Sequence, residues 1–167
     1  MEIEKILALA QHLEIEYCLW NEQYLTGISQ EDLDEKEEEL LADERYSGEE
    51  INEILQKWID EKCTLLEDEF QVSPYDDNRV EYGSQEYLVC TDSEAYDLWE
   101  ESLDSYLEEC VYPELQGNLK YYFDDEKWKK DAKMDGRGHS LSGYDGNENE
   151  EKVGDTFCIS FKYVAVN

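Results

Sequence analysis

Basic residues are scarce in this chain. Fourteen Lys and Arg stand against forty-five Asp and Glu in 167 residues, for a formal net charge of -31. That scarcity excludes direct nucleic-acid binding of the usual kind, in which clustered Lys and Arg displace counterions from phosphate. It also argues against an anionic membrane surface, which would repel the protein. Long apolar runs are missing too, and none approaches the ~20 residues of a membrane span. Histidine is limited to His12 and His139, with no HExxH and no second ligand cluster of recognised metal spacing. The GxSxG elbow and the P-loop are absent. The five cysteines (Cys18, Cys63, Cys90, Cys110, Cys158) are scattered, odd in number and form no CxxC pair. They fit buried thiols in a reducing compartment better than a disulfide framework. The N-terminus opens with Glu2 and Glu4 rather than a basic segment, so no signal peptide is read. The expectation is a soluble, cytoplasmic protein that is not an enzyme and needs no cofactor or metal.

What the chain does have is carboxylates, unevenly placed. Residues 1–112 hold 34 acidic against 6 basic residues, and residues 113–167 hold 11 against 8. Like charges crowded on a compact body raise its free energy. Disorder would be one outcome, but an apolar fraction of 40% and an aromatic fraction of 13% are too high for a solvating tail. The chain should fold, with an acidic helical region over 1–112 and a smaller, near-neutral C-terminal region over 113–167 packed on it as one compact domain.

The hydrophobic pattern predicts mostly helix. Ile3, Ile6, Leu7, Ala10, Leu13, Tyr17 and Trp20 make a helical stripe over 2–20. Ser29 and Asp32 open a helix over Glu31–Asp43, with Leu33, Leu40 and Leu41 inward. The capping-box pair Ser47 and Glu50 opens another, whose apolar face runs from Ile51 to Leu65, Leu66 and Phe70. Ser73–Asn78 reads as a loop and Tyr87–Cys90 as a buried strand. Thr91 and Glu94 cap a helix that Pro113 and Gly117 end. A further helix covers Asp124–Met134, a loop Gly136–Gly146 and a strand Phe157–Val166. The two strands are expected to pair through a hairpin partner that the pattern does not place. The fold class is α+β, mainly helical with a small antiparallel sheet.

Three chemistries compete for the site. The first is the acidic surface itself. Carboxylates at i and i+4 lie ~6 Å apart along a helix face, so a row can imitate a phosphate track. The residues are Glu31, Asp34, Glu35, Glu37, Glu38 and Glu39 on one helix, with Glu53, Asp60, Glu61, Glu67 and Asp68 on the next. The bland reading is a solvated face, as charge runs usually are. The second candidate is Lys120–Asp145, which carries six of the fourteen basic residues among aromatics. Here Arg137, His139 and Tyr144 mark a protein-interaction site, or the segment merely neutralises the acidic body and locks its own loop. The third is a metal-dependent hydrolase on Asp135, His139 and Asp145. Asp145–Asn149 is no calcium loop, since Glu150 and Thr156 stand where Gly and Glu are required. Thiols beside acids should have raised pKa values, the wrong direction for a nucleophile.

Two stretches, EYLVCTDSEAYDLWEESLDSYLEECVYPEL (Glu86–Leu115) and YYFDDEKWKKDAKMDGRGHSLSGYDGNENE (Tyr121–Glu150), are similar to a class of small phage-encoded proteins. The string YFDDEKWKKD (Tyr122–Asp131) resembles the tail pattern of the ArdA antirestriction proteins, acidic DNA mimics. No catalytic residue carries over. The resemblance implies a counter-defence factor, anti-CRISPR or anti-restriction, acting inside a bacterial host cell. Its partner would be the basic nucleic-acid-binding groove of a CRISPR effector or restriction enzyme, and the acidic N-terminal region would be the target-binding part.

Overall fold

The computed structural model describes residues 2–143 and 145–164. Helix α1 (Glu2–His12) is followed by strands β1 (Tyr17–Trp20) and β2 (Gln23–Thr26), then by helices α2 (Gln30–Leu41) and α3 (Gly48–Lys62). Strand β3 (Thr64–Leu65), the single turn α4 (Leu66–Glu69) and strands β4 (Phe70–Ser73), β5 (Asp76–Tyr82) and β6 (Gln85–Thr91) come next. The long helix α5 (Asp92–Tyr106) runs on through a π-helical turn, Leu107–Val111, into α6 (Tyr112–Glu114). A 3-10 segment, Gly117–Tyr122, leads to α7 (Asp125–Ala132), a 3-10 turn (Lys133–Asp135) and the short α8 (Arg137–Leu141). Strands β7 (Asn149–Val153) and β8 (Asp155–Val164) close the chain. The fold is α+β with two small antiparallel sheets.

The larger sheet has the order β4-β5-β6-β8-β7, so strands from both sides of the charge boundary make one sheet. Its two faces follow from the period-2 alternation of strands. Tyr87 and Val89 of β6, with Phe157 and Ile159 of β8, pack beneath α1. Leu88, Cys90 and Cys158 point the other way, against Ala95 of α5 and Leu141 of α8. Strand β6 is covered on both faces, which is why YLVC is uninterrupted apolar sequence. β6 and β8 pair with each other directly, Thr91 opposite Phe157 and Val89 opposite Ile159, and need no strand between them.

α1 is short and deeply buried rather than a stripe reaching Trp20. Residues 5–10 are all buried, and Lys5 donates to Asn78 Oδ1 at 2.5 Å and to Glu94 Oε1 at 3.3 Å. Ile15 N–H to Ala10 O and Glu14 N–H to Gln11 O form the double bond of a Schellman cap, with Glu14 at φ 56°. Tyr17 and Trp20 then belong to β1, which turns into β2 through Asn21 and Glu22, both at positive φ as a two-residue hairpin requires.

The smaller sheet, β1-β2-β3, is covered by the α2–α3 pair. Cys18, Leu25, Ile28, Leu33 and Ile59 form one cluster, and Leu40, Ile51 and Leu55 another, with Trp20 touching both. α3 stops at Lys62 instead of continuing to Phe70. Gly27, at φ +103°, sits against the Lys62 carbonyl, 2.4 Å from where a Cβ would be, and the chain turns there into β3. Leu65 is therefore a strand residue, while Leu66 and Phe70 belong to the core under α1. The expected loop Ser73–Asn78 narrows to the turn between β4 and β5. The expected loop from Gly136 contains the helical turn α8.

Candidate functional site

Helix α2 is opened by a complete capping box. Ser29 Oγ accepts from Asp32 N–H while Asp32 Oδ2 accepts from Ser29 N–H at 3.1 Å. Those hydrogen bonds hold the Asp32 carboxyl below its usual pKa. Leu33 and Leu40 fix the inward face; at 100° per residue, Glu31, Glu35 and Glu38 then run along the centre of the outward face. Asp34 and Glu39 flank them, Glu37 is half-buried at the edge, and Leu41, expected inward, is exposed. Seven carboxylates and one lysine share a helix about 18 Å long, roughly one net charge per 3 Å of axis. A single nucleic-acid strand carries about one per 3.4 Å.

Little neutralises this face. Lys36 Nζ pairs with Glu39 Oε2 at 2.6 Å. Arg45, in the α2–α3 loop, is spent on Asp43, which it holds down to about pKa 2 by hydrogen bonding. Among the described residues, Glu31, Glu35, Glu37 and Glu38 have no ion-pair partner, and Asp34 accepts only from the neutral Gln30 amide at 2.9 Å. Across from α2, Trp58 of α3 forms one wall of a groove whose other walls are Asp32, Glu35, Lys36 and Glu39. Lys62 Nζ lies 5.0 Å from the Trp58 ring centre. On α3 itself Glu53, Asp60 and Glu61 are exposed, but Lys57 and Lys62 dilute them.

The proposed row from Asp60 to Glu67 and Asp68 is broken. Glu67 and Asp68 are exposed on α4, whose Leu66 is buried under α1, so they ride on the other core rather than on the same helix face. Their neighbour Glu69 is turned inward, its Oε1 accepting from Thr26 Oγ1 at 2.5 Å.

The C-terminal segment separates its residues by role. Arg137 faces inward. Its guanidinium donates to Asp92 Oδ1 at 2.8 Å, to Glu148 Oε1 at 2.8 Å and to Cys158 Sγ at 3.3 Å. Burial alone would lower its pKa, but the bonds to Glu148 and Asp92 raise it. Gly138 lets α8 press against the following loop, since a Cβ there would lie 2.6 Å from the Gly146 carbonyl. Asp135 and His139 instead line an open cleft of 360 Å³ with Ser102, Leu103, Tyr106, Trp128, Ala132 and Ser140. Asp145 is elsewhere, accepting from Ser142 Oγ at 2.8 Å and from Asn147 N–H at 3.0 Å. Asp135, His139 and Asp145 are thus not gathered as a metal centre. Tyr144 lies outside the described residues.

No family model, curated protein or solved structure matches this chain. Its chemistry therefore rests on its own side chains.

One three-ligand grouping exists among the described residues: Glu148, Glu150 and Cys158 offer atoms within 4.8 Å of one another. The Arg137 guanidinium already occupies the charge position a cation would take there. Burial, and then the Glu148 carboxylate, push the Cys158 thiol up to about 11 despite the arginine. Burial pushes Cys90 to about 12. Neither thiol is a nucleophile near neutral pH. Sequence reasoning missed the cleft because its walls come from α5, α7 and α8, separated by some forty residues. The only linear signal was the Asp-Gly-Arg-Gly-His string itself.

Proposed function

We propose that this protein is a phage counter-defence inhibitor of the anti-CRISPR or anti-restriction kind. Its acidic surface, centred on α2, occupies the nucleic-acid groove of a host defence enzyme. The observation that carries the reading is the net charge density of α2, close to that of a nucleic-acid strand, with Glu31, Asp34, Glu35 and Glu38 exposed and without an ion-pair partner among the described residues. A rigid helix presents them without the entropy cost of ordering a tail. The capping boxes on α2 and α3 and the shared Trp20 contact fix that pair against its sheet. The fold would then hold the charge in place, and catalysis has no part in the reading. No helix among the described residues is long and apolar enough to cross a membrane.

The test is the triple variant Glu35→Lys, Glu38→Lys, Glu39→Lys. All three side chains are exposed, so folding should survive. Close charge pairs across an interface contribute upward of about 1.5 kcal/mol each. Losing three weakens inhibition of the target nuclease roughly a thousandfold. A variant that folds and inhibits like the wild type removes this surface from the account.

A second reading is a protein-interaction module without mimicry, and the exposed Leu119, Tyr121 and Tyr122 on the 3-10 segment before α7 favour it. Arg137 is a poor discriminator for it, being an internal latch. Substitutions at Tyr121 and Tyr122, with binding indifferent to salt, would select it.

A further inference from the structure

The cleft beside α8 is built from groups that share one ligand chemistry. Its floor is apolar, Leu103 from α5 and Ala132 from α7. One wall is aromatic: the Tyr106 and Trp128 rings stack with centres 5.8 Å apart and planes 10° apart. α8 is fixed against α5 by the Trp99 Nε1–H donating to Ser140 Oγ at 3.1 Å, so the cleft is held open by structure already in place. Asp135 and His139 sit at the cleft with no ion pair or hydrogen bond among the described residues. No Lys or Arg lines it. The nearest lysines are committed to α5, Lys129 to Asp104 at 2.5 Å and Lys133 to Glu100.

We propose that this cleft receives an arginine side chain of the partner protein, its guanidinium lying against Tyr106 and Trp128 and ion-paired with Asp135. An anion is disfavoured because Asp135 is the only formal charge in the lining. A purely apolar guest would desolvate that carboxylate without compensating it. The volume is ample for one side chain, and a nucleotide is disfavoured because no Lys or Arg lines the cleft to meet its phosphate. Guanidinium is favoured over ammonium because it is flat, weakly hydrated and stacks on aromatic faces while donating to a carboxylate. The source of that arginine, a basic nucleic-acid groove, rests on the function proposed above. The chemistry of the cleft does not.

The experiment titrates the full chain with N-acetyl-arginine amide and follows the Trp128 indole N–H by NMR, assigned with Trp128→Phe. Saturable shifts are expected, weakened roughly ten-fold or more with the neutral isostere N-acetyl-citrulline amide and likewise in Asp135→Asn. Asp135 is exposed on a 3-10 turn, so Asp135→Asn should unfold at the wild-type temperature. No saturable shift, equal binding of the citrulline probe, or unchanged binding in Asp135→Asn would each overturn the proposal. The probe needs no defence enzyme. A failed titration therefore leaves the α2 surface untouched, and a failed α2 test leaves the cleft standing.

Discussion

Replacing Arg137 tests how the charge of this protein is managed inside rather than outside. Its side chain is only 14% exposed and faces Glu148, itself 15% exposed, and Cys158, while its third partner Asp92 is 73% exposed. In Arg137→Met the Asp92 carboxylate returns to water at little cost. Glu148 cannot. One of its oxygens, Oε2, is already buried with no hydrogen-bond partner, and Oε1 would lose both donors it now has. Removing one member of a buried pair costs about 3–5 kcal/mol, against about 5–15 kcal/mol for the whole stability of an ordinary domain. At ~2–4 °C per kcal/mol for a chain of this size, the melting temperature should fall by roughly 6–20 °C. Urea unfolding followed by circular dichroism gives the free energy, and scanning calorimetry gives the temperature. The double variant Arg137→Met, Glu148→Gln should recover most of the loss, because the penalty lies in the stranded charge. A single variant within ~1 kcal/mol of wild type, or a double variant no better than the single, would refute the latch.

Gly27→Ala should destabilise by more than ~1 kcal/mol, since the added Cβ meets the Lys62 carbonyl at 2.4 Å and φ is +103°; urea unfolding checks it. Thr91→Ala should cost about 1 kcal/mol at neutral pH through loss of the α5 cap. At Glu94 burial raises the pKa, but hydrogen bonds from Thr91 and then the charge of Lys5 outweigh it and leave it lowered. A lowered folded pKa gives stability that is present above the unfolded value near 4.3 and lost as pH falls through the folded one. The gap between Thr91→Ala and wild type should therefore narrow below about pH 4, and a gap constant down to acid would contradict the cap. Near pH 8 a disulfide exchange reagent should label exposed Cys110 in the native state, with Cys90 and Cys158 reacting only on unfolding. Prompt labelling of all five would mean the core is open.

Several features were legible in the sequence for physical reasons. Capping boxes are local, so Ser29 with Asp32, Ser47 with Glu50 and Thr91 with Glu94 marked three helix starts. The apolar run of β6 announced a strand covered on both faces. Strands β1 to β4 were not legible because two to four residues are too few to show an alternation, and in β5 and β7 the charged residues Asp76, Asp77, Glu81, Glu150 and Glu151 dilute it. In β1 the residues Tyr17 and Trp20 are three apart, which extends a helical stripe on paper but puts them on opposite faces of a strand, Tyr17 against the core under α1 and Trp20 against the α2–α3 clusters. The break at Glu14 has no glycine to signal it. The end of α3 is set by a contact from Gly27, thirty-five residues upstream, which no local pattern contains. The acidic α2 surface needed only periodicity, and its row is exposed except for Glu37, which is half-buried, while Leu41, expected inward, is exposed. Its apparent continuation to Glu67 and Asp68 failed with the helix that was meant to carry it. The Asp135 and His139 cleft is a product of tertiary packing alone.

The most direct measurement of the central claim is capture from a bacterial lysate on the immobilised protein, run over a salt series with and without competing duplex DNA. Mimicry predicts that a nucleic-acid-binding defence enzyme is retained at low salt and released by either DNA or rising salt. The Glu35→Lys, Glu38→Lys, Glu39→Lys variant should fail to retain it. A partner held equally by both proteins, and indifferent to salt and DNA, would contradict the account.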